Sequence, residues 1–185
     1  MTPRTVIAIA AAGLALSSCM VQKDFGGTHA AAAPPPAEAS TQLLGPNGEI
    51  RGTVTLSQQP SGTHVAARVE GLPAGSYAIH IHAVGQCIAP TFASAGGHFN
   101  PDGHQHGSLN PAGPHMGDMP NLIVGSDGSG RLDFDRPGLR LKDGPTPLLD
   151  ADGAAVVVHA GPDDYKTDPS GNSGGRIACG VLAAH

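Results

Sequence analysis

From about Leu43 onward, apolar and polar positions alternate with a period of two, broken at short intervals by turn residues. Ile50, Gly52, Val54 and Leu56 share one side, with Arg51, Thr53 and Thr55 between them. Val65, Ala67 and Val69 repeat the pattern ahead of Gly71-Leu72-Pro73-Ala74-Gly75. A strand places residues i and i+2 on one face, so each run predicts a half-buried strand. Leu122 to Val124 and Leu132 to Phe134 flank Ser126-Asp127-Gly128-Ser129-Gly130, which predicts a hairpin. Residues 155–159 and 176–182 predict two late strands. No segment carries a long helical period, and many short strands between Gly- and Pro-rich turns predict an all-β antiparallel sandwich or barrel.

Ahead of this domain, expected over 43–185, the pattern is different. Residues 1–18 read as a signal peptide: Arg4 supplies a positive start, and Val6 to Leu16 form an apolar stretch too short to span a bilayer comfortably. Leu16-Ser17-Ser18-Cys19 is similar to a bacterial lipoprotein processing site, which predicts a lipid on Cys19. Met20, rather than an acidic residue, follows it and points to the outer membrane, on its periplasmic side. Residues 19–42 contain Gly26-Gly27, an Ala run and Pro34-Pro35-Pro36 without apolar periodicity, and read as a disordered tether. Its His29 is expected to be simply solvated.

Composition changes this picture in two respects. The chain has no Trp and only 3% aromatic residues, so the core must be aliphatic. A formal net charge of −5, with no basic cluster, argues against nucleic acid as a partner. Ten histidines are unusual for 185 residues, and seven of them fall between His80 and His159. Residues 85–120 are too long for a simple connection and hold His98, His104, His106 and His115 among Gly, Pro and Asn. Such loops are uncommon unless functional or held by a ligand, and a bound metal would organise this one. His80 and His82, at i and i+2 beside Ile79 and Ile81, would project together from one strand face, an arrangement that suits copper or zinc. Three loop histidines and Asp118 could complete a tetrahedral zinc shell.

Together with Val157-Val158-His159-Ala160-Gly161 and Gly175-Arg176-Ile177-Ala178-Cys179-Gly180, these motifs resemble the copper/zinc superoxide dismutases, particularly their bacterial periplasmic branch, from about Gly48 to the C-terminus. The resemblance implies a Greek-key fold, superoxide as substrate and copper and zinc as cofactors. It implies His80, His82, His98 and His159 as copper ligands, and His98, His106, His115 and Asp118 as zinc ligands, His98 being shared. His104 stands beside His106 as a spare candidate. The resemblance further implies Asp163 as a carboxylate bridging two ligands, Cys87 and Cys179 as a disulfide, and Arg176 as a fixed positive charge at the copper. It also allows a homodimer built on exposed strand faces. Ala78 and Ala83 depart from the Gly and Glu that relatives often carry there, which bears on rate and channel shape.

Two other functions fit parts of the chain. A periplasmic copper/zinc-binding protein without redox turnover would keep the same ligands. Gly171-Asn172-Ser173-Gly174-Gly175 satisfies the pattern of a serine hydrolase elbow, which needs a strand before it and a helix after it. Here a loop precedes it and a β-like segment follows.

Overall fold

The computed structural model describes Met1 and residues 37–185; the signal-peptide region, Cys19 and His29 lie outside the described residues. Ten strands form one antiparallel sheet: β1 (Glu38–Leu44), β2 (Ile50–Gln59), β3 (Gly62–Val69), β4 (Gly75–Tyr77), β5 (Ile79–His82), β6 (Leu122–Val124), β7 (Gly130–Pro137), β8 (Ala155–His159), β9 (Arg176–Val181) and β10 (Ala183–Ala184). A single 3-10 turn, Ala93–Ala95, is the one helical element among the described residues. Hydrogen bonding runs in the order β4-β6-β7-β3-β2-β1-β9-β8-β5, with β10 on β1. The two ends of that order, β4 and β5, are one stretch of chain interrupted only by Ala78. The sheet therefore closes into a barrel, which removes its open edges. Because β3 pairs with β7, and β8 with β5, the chain crosses over twice, as a Greek key requires.

The expected strands are present. Val54, Leu56, Val65, Ala67, Ile79, Ile81, Leu122, Val156 and Val158 are fully buried in one aliphatic core. The loop after β7 adds Leu139, Leu141 and Leu148 to it. The ordered sheet begins earlier than expected, because β1 starts at Glu38 rather than beyond Gln42. Ala39 is a buried position of this strand, and its register runs from Glu38↔Ser57 onward. A small alanine amid polar neighbours gives little periodic signal, so pairing with β2 and β10 decides the conformation.

β8 is buried on both faces. Val156 and Val158 join the main core, whereas Ala155 and Val157 form a second cluster with Phe92, Ala95 and Cys179. This outer cluster exists because Cys87 is bonded to Cys179, which ties the start of the 85–120 loop to β9. The bridge spans 92 residues of sequence. In the chain-entropy model, closing such a loop stabilises the fold by about 4–5 kcal/mol. Replacing Cys87 and Cys179 together by Ser should lower the unfolding free energy of metal-free protein by about that amount in a urea titration. A loss below about 1 kcal/mol would show that the crosslink adds little to a loop already held by packing.

Candidate metal centre

On β5, Ile79 and Ile81 face the core, while His80 and His82 lie opposite Val157 and Ala155 of β8. The histidine face is not open to solvent: both rings are buried. The long loop covers them by pairing its backbone with β5. The Ile81 amide donates to the Gly117 carbonyl (2.9 Å), Phe99 to Ile81 (2.8 Å) and Ala83 to Gly97 (3.0 Å). These bonds put Asp118 beside His80 and His98 beside His82. His159 enters from the end of β8, where the register skips Ile177, so that His159 faces Arg176. A bulge of this kind re-aims side chains next to a site.

Two clusters result, each with donor atoms within 4.8 Å of one another: His80, His82, His98 and His159 in one, and His98, His106, His115 and Asp118 in the other. In the first, His80 Nδ1, His82 Nε2 and His159 Nε2 are buried without hydrogen-bond partners. The opposite ring nitrogens are held outside the cluster: His80 Nε2 by Asp163 Oδ2 (2.9 Å), His82 Nδ1 by the Gly96 carbonyl (2.9 Å) and His159 Nδ1 by the Gly174 carbonyl (3.4 Å). Donation outward leaves the inner nitrogens as bare lone pairs, the arrangement that a metal ligand needs. Burial, together with the charge of His98, pushes His82 down to about 2. Burial and the neighbouring His80 bring His159 to about 3, and burial, only partly offset by Asp118, brings His98 to about 4. These rings are neutral near pH 7.

In the second cluster the donors surround Asp118 Oδ1. His98 Nδ1 lies at 2.8 Å, His106 Nδ1 at 3.1 Å and His115 Nδ1 at 3.2 Å, and His98 and His115 Nδ1 are 3.3 Å apart. Ligands of a tetrahedral zinc ion with bonds near 2.0–2.1 Å stand about 3.3 Å apart, so this cage has the size of that ion. Burial alone would raise the Asp118 carboxyl, but bonds from His106, His115, His98 and the Gly107 amide hold it far below the usual carboxylate range. With Nδ1 committed here, His98 has Nε2 for the first cluster, and one ring serves both.

Asp163 ties the cages together from behind. Its Oδ2 meets His80 Nε2, and its Oδ1 meets His106 Nε2, both at 2.9 Å. Burial opposes a charged His106, yet the carboxylates of Asp118 and Asp163 outweigh it and push the ring up to about 9. Asp163 is itself clamped: its amide donates to Asn121 Oδ1, and its Oδ1 accepts from the Tyr165 amide. Asn121 and Tyr165 were not singled out by sequence reasoning, since nothing in their spacing marks them. Gly171 is another such residue. It sits at φ 65°, and a Cβ there would fall 1.8 Å from Asp163 Oδ1 and 2.9 Å from His106 Nε2.

Arg176 is half-buried, and its guanidinium donates to the carbonyls of Phe92 (2.7 Å) and Gly96 (2.6 Å). Both carbonyls belong to the loop anchored by Cys87. Gly96, at φ 73° and ψ −155°, aims its single carbonyl at both Arg176 and His82. Arg176 borders a cleft of about 410 Å³ lined also by His98, His115, His159, Pro169 and Gly174. His104 stays outside both cages, exposed, with its Nδ1 on the Pro114 carbonyl. Ser173 is fully buried, its Oγ has no partner, and β9 follows it, so it is no nucleophile elbow.

A Gly171→Ala substitution should displace Asp163 from both imidazoles and weaken metal retention in both cages together, by about 10–100-fold. Competition against chelators of known affinity would measure it, and unchanged retention of either ion would remove Asp163 as the shared support.

Comparison with known proteins agrees with this geometry. Residues 50–182 match the copper/zinc superoxide dismutase family. A Cu-Zn superoxide dismutase of Aquifex aeolicus is 47% identical over 147 residues, covering 78% of this chain and 86% of that one. One from Deinococcus radiodurans is 42% identical over 197 residues, covering 97% and 96%. A crystal structure of a SOD-like protein from Bacillus subtilis carrying two histidine substitutions is 43% identical, with a TM-score of 0.74 over 77% of this chain and 95% of that one. Over its β-domain, the chain belongs to the copper/zinc superoxide dismutase family.

Proposed function

We propose that the chain converts two superoxide anions and two protons into dioxygen and hydrogen peroxide. The observation that carries this reading is a cage of four imidazoles, His80, His82, His98 and His159, two of which, His98 and His159, border the same open cleft as the fixed guanidinium of Arg176. Copper belongs to His80, His82, His98 and His159, where nitrogen-only donors suit it, and zinc to His98, His106, His115 and Asp118, where the cage has its size. Copper held there supplies one-electron acceptance and return.

The chain's own residues supply the rest. Arg176 presents positive charge at the cleft without rearranging, because two carbonyls already fix it, and so favours a small anion. His98 borders the same cleft, and its Nε2, the nitrogen not held by Asp118, is the atom at which a proton would be held and then passed to the departing peroxide. His98 Nδ1, kept on Asp118, stops the ring from turning away. Asp163 fixes the rings of His80 and His106 from outside.

Replacing Arg176 by Gln should lower the second-order rate of superoxide consumption by about 10–100-fold and flatten its dependence on ionic strength. An unchanged rate and salt slope would take Arg176 out of the mechanism. If the wild-type protein, loaded with both metals, consumed superoxide no faster than apoprotein, only a metal-binding role would stand.

Export and a lipid on Cys19 are also part of the proposal, supported by the Val6–Leu16 stretch and Leu16-Ser17-Ser18-Cys19. Cys19→Ser should move the protein from the outer-membrane fraction to the soluble periplasmic fraction, and a wild-type protein already soluble there would remove the anchor.

A further inference from the structure

On β7, Leu132, Phe134 and Arg136 share one side of the strand, with Arg131, Asp133 and Asp135 exposed between them. Leu132 is buried in the main core and Phe134 packs against it, so Arg136 brings a cation to a face otherwise given to apolar packing. A guanidinium withdrawn from water requires compensation. Among the described residues no carboxylate forms an ion pair with it within 4.0 Å. Its partners are two successive carbonyls instead: Nε donates to Met116 (2.9 Å), and a terminal nitrogen donates to His115.

Those carbonyls belong to the turn that carries His115 and Asp118. From the front, the turn is closed by Asp118 Oδ2, which accepts from the amides of His115 and Gly107, each at 2.9 Å. Arg136 fastens it from the back. A forked, planar donor suits two adjacent acceptors, and lysine's point-like ammonium does not reproduce that fit.

We propose that Arg136 is a positioning residue of the zinc cage, holding the turn 115–118 so that His115 Nδ1 and Asp118 Oδ1 face His98 and His106 before metal arrives. This rests on the zinc assignment made above and adds a residue on a strand that contributes no ligand. The cage is then a rigid receptor rather than a loop gathered by its ion, and the cost of losing Arg136 falls on zinc and spares copper.

The test compares Arg136→Met, Arg136→Lys and, as a control on the same strand, Arg131→Met. Zinc affinity is measured by chelator competition, and cobalt placed in the zinc cage reports ligand geometry through its visible absorption. Arg136→Met should weaken zinc by about 10–100-fold and alter the cobalt spectrum. Arg136→Lys should recover part of the affinity, Arg131→Met should match wild type, and copper affinity should stay within about twofold throughout. Zinc affinity and cobalt spectra equal to wild type in both Arg136 variants would overturn the proposal, as would equal losses of copper and zinc, which denote general destabilisation. If Arg136→Met fails to fold, Arg136→Lys decides: a wild-type cobalt spectrum there overturns the positioning role. Failure of the wild-type chain to bind stoichiometric zinc would instead defeat the underlying assignment.

Discussion

Six imidazole rings packed with neighbouring centroids as close as 4.1 Å can share a protein interior only if their charges are suppressed and their lone pairs directed. Burial and mutual repulsion hold His82, His98 and His159 neutral. The exception, His106, keeps its proton because two carboxylates flank it. Tautomers are set by acceptors outside the cluster: the Gly96 and Gly174 carbonyls and Asp163. Much of the surrounding structure can be understood as a means of placing those acceptors. The bulge in β9, the disulfide-tied loop and the clamp of Asn121 and Tyr165 each deliver one of them or its neighbour.

The barrel's closure explains why this can be built on β5. Because β4 and β5 are one continuous segment, the strand carrying His80 and His82 is held at both ends of the sheet order, by β6 through β4 and by β8 directly. Its remaining edge accepts the metal-binding loop as though it were further strands. The loop is therefore positioned by backbone pairing as well as by its ligands, a constraint that His and Gly content alone did not suggest. The same pairing buries the histidine face that a bare amphipathic strand would expose.

Periodicity made β2 and β3 legible, because large β-branched and aliphatic residues alternate there, and turn residues marked β6 and β7. It failed at β1, where Ala39 is the buried residue and neighbouring strands supply the reason for order. The ligands were legible because their chemistry is rare and their spacing characteristic, and Cys87 and Cys179 because they lie on segments that the resemblance pairs. Asn121, Tyr165, Gly96 and Gly171 were not legible. They act through backbone groups, or through the absence of a side chain, and so leave no mark on hydropathy or spacing. Arg136 was hidden for a related reason: an arginine at the end of a strand that also carries Arg131, Asp133 and Asp135 reads as one more charged surface residue, and only the turn folded over that end gives it buried partners.

The two cages differ in how well they are satisfied by protein alone. Around Asp118 the rings of His98 and His115 hydrogen-bond one anionic oxygen, His106 Nδ1 is the single buried ring nitrogen there without a hydrogen-bond partner, and the turn that carries Asp118 is bonded front and back. In the neighbouring cage the inner nitrogens of His80, His82 and His159 face only one another. Each buried, unmatched polar atom costs on the order of 1–3 kcal/mol, so this second set is strained by polarity rather than by geometry. A cation entering there relieves several such penalties at once without moving the chain. That asymmetry suits the chemistry proposed, because a cage with one unpartnered nitrogen against three, bonded front and back, can hold an ion that stays fixed. A cage of bare lone pairs beside an open cleft can hold one whose charge must change while its surroundings remain still.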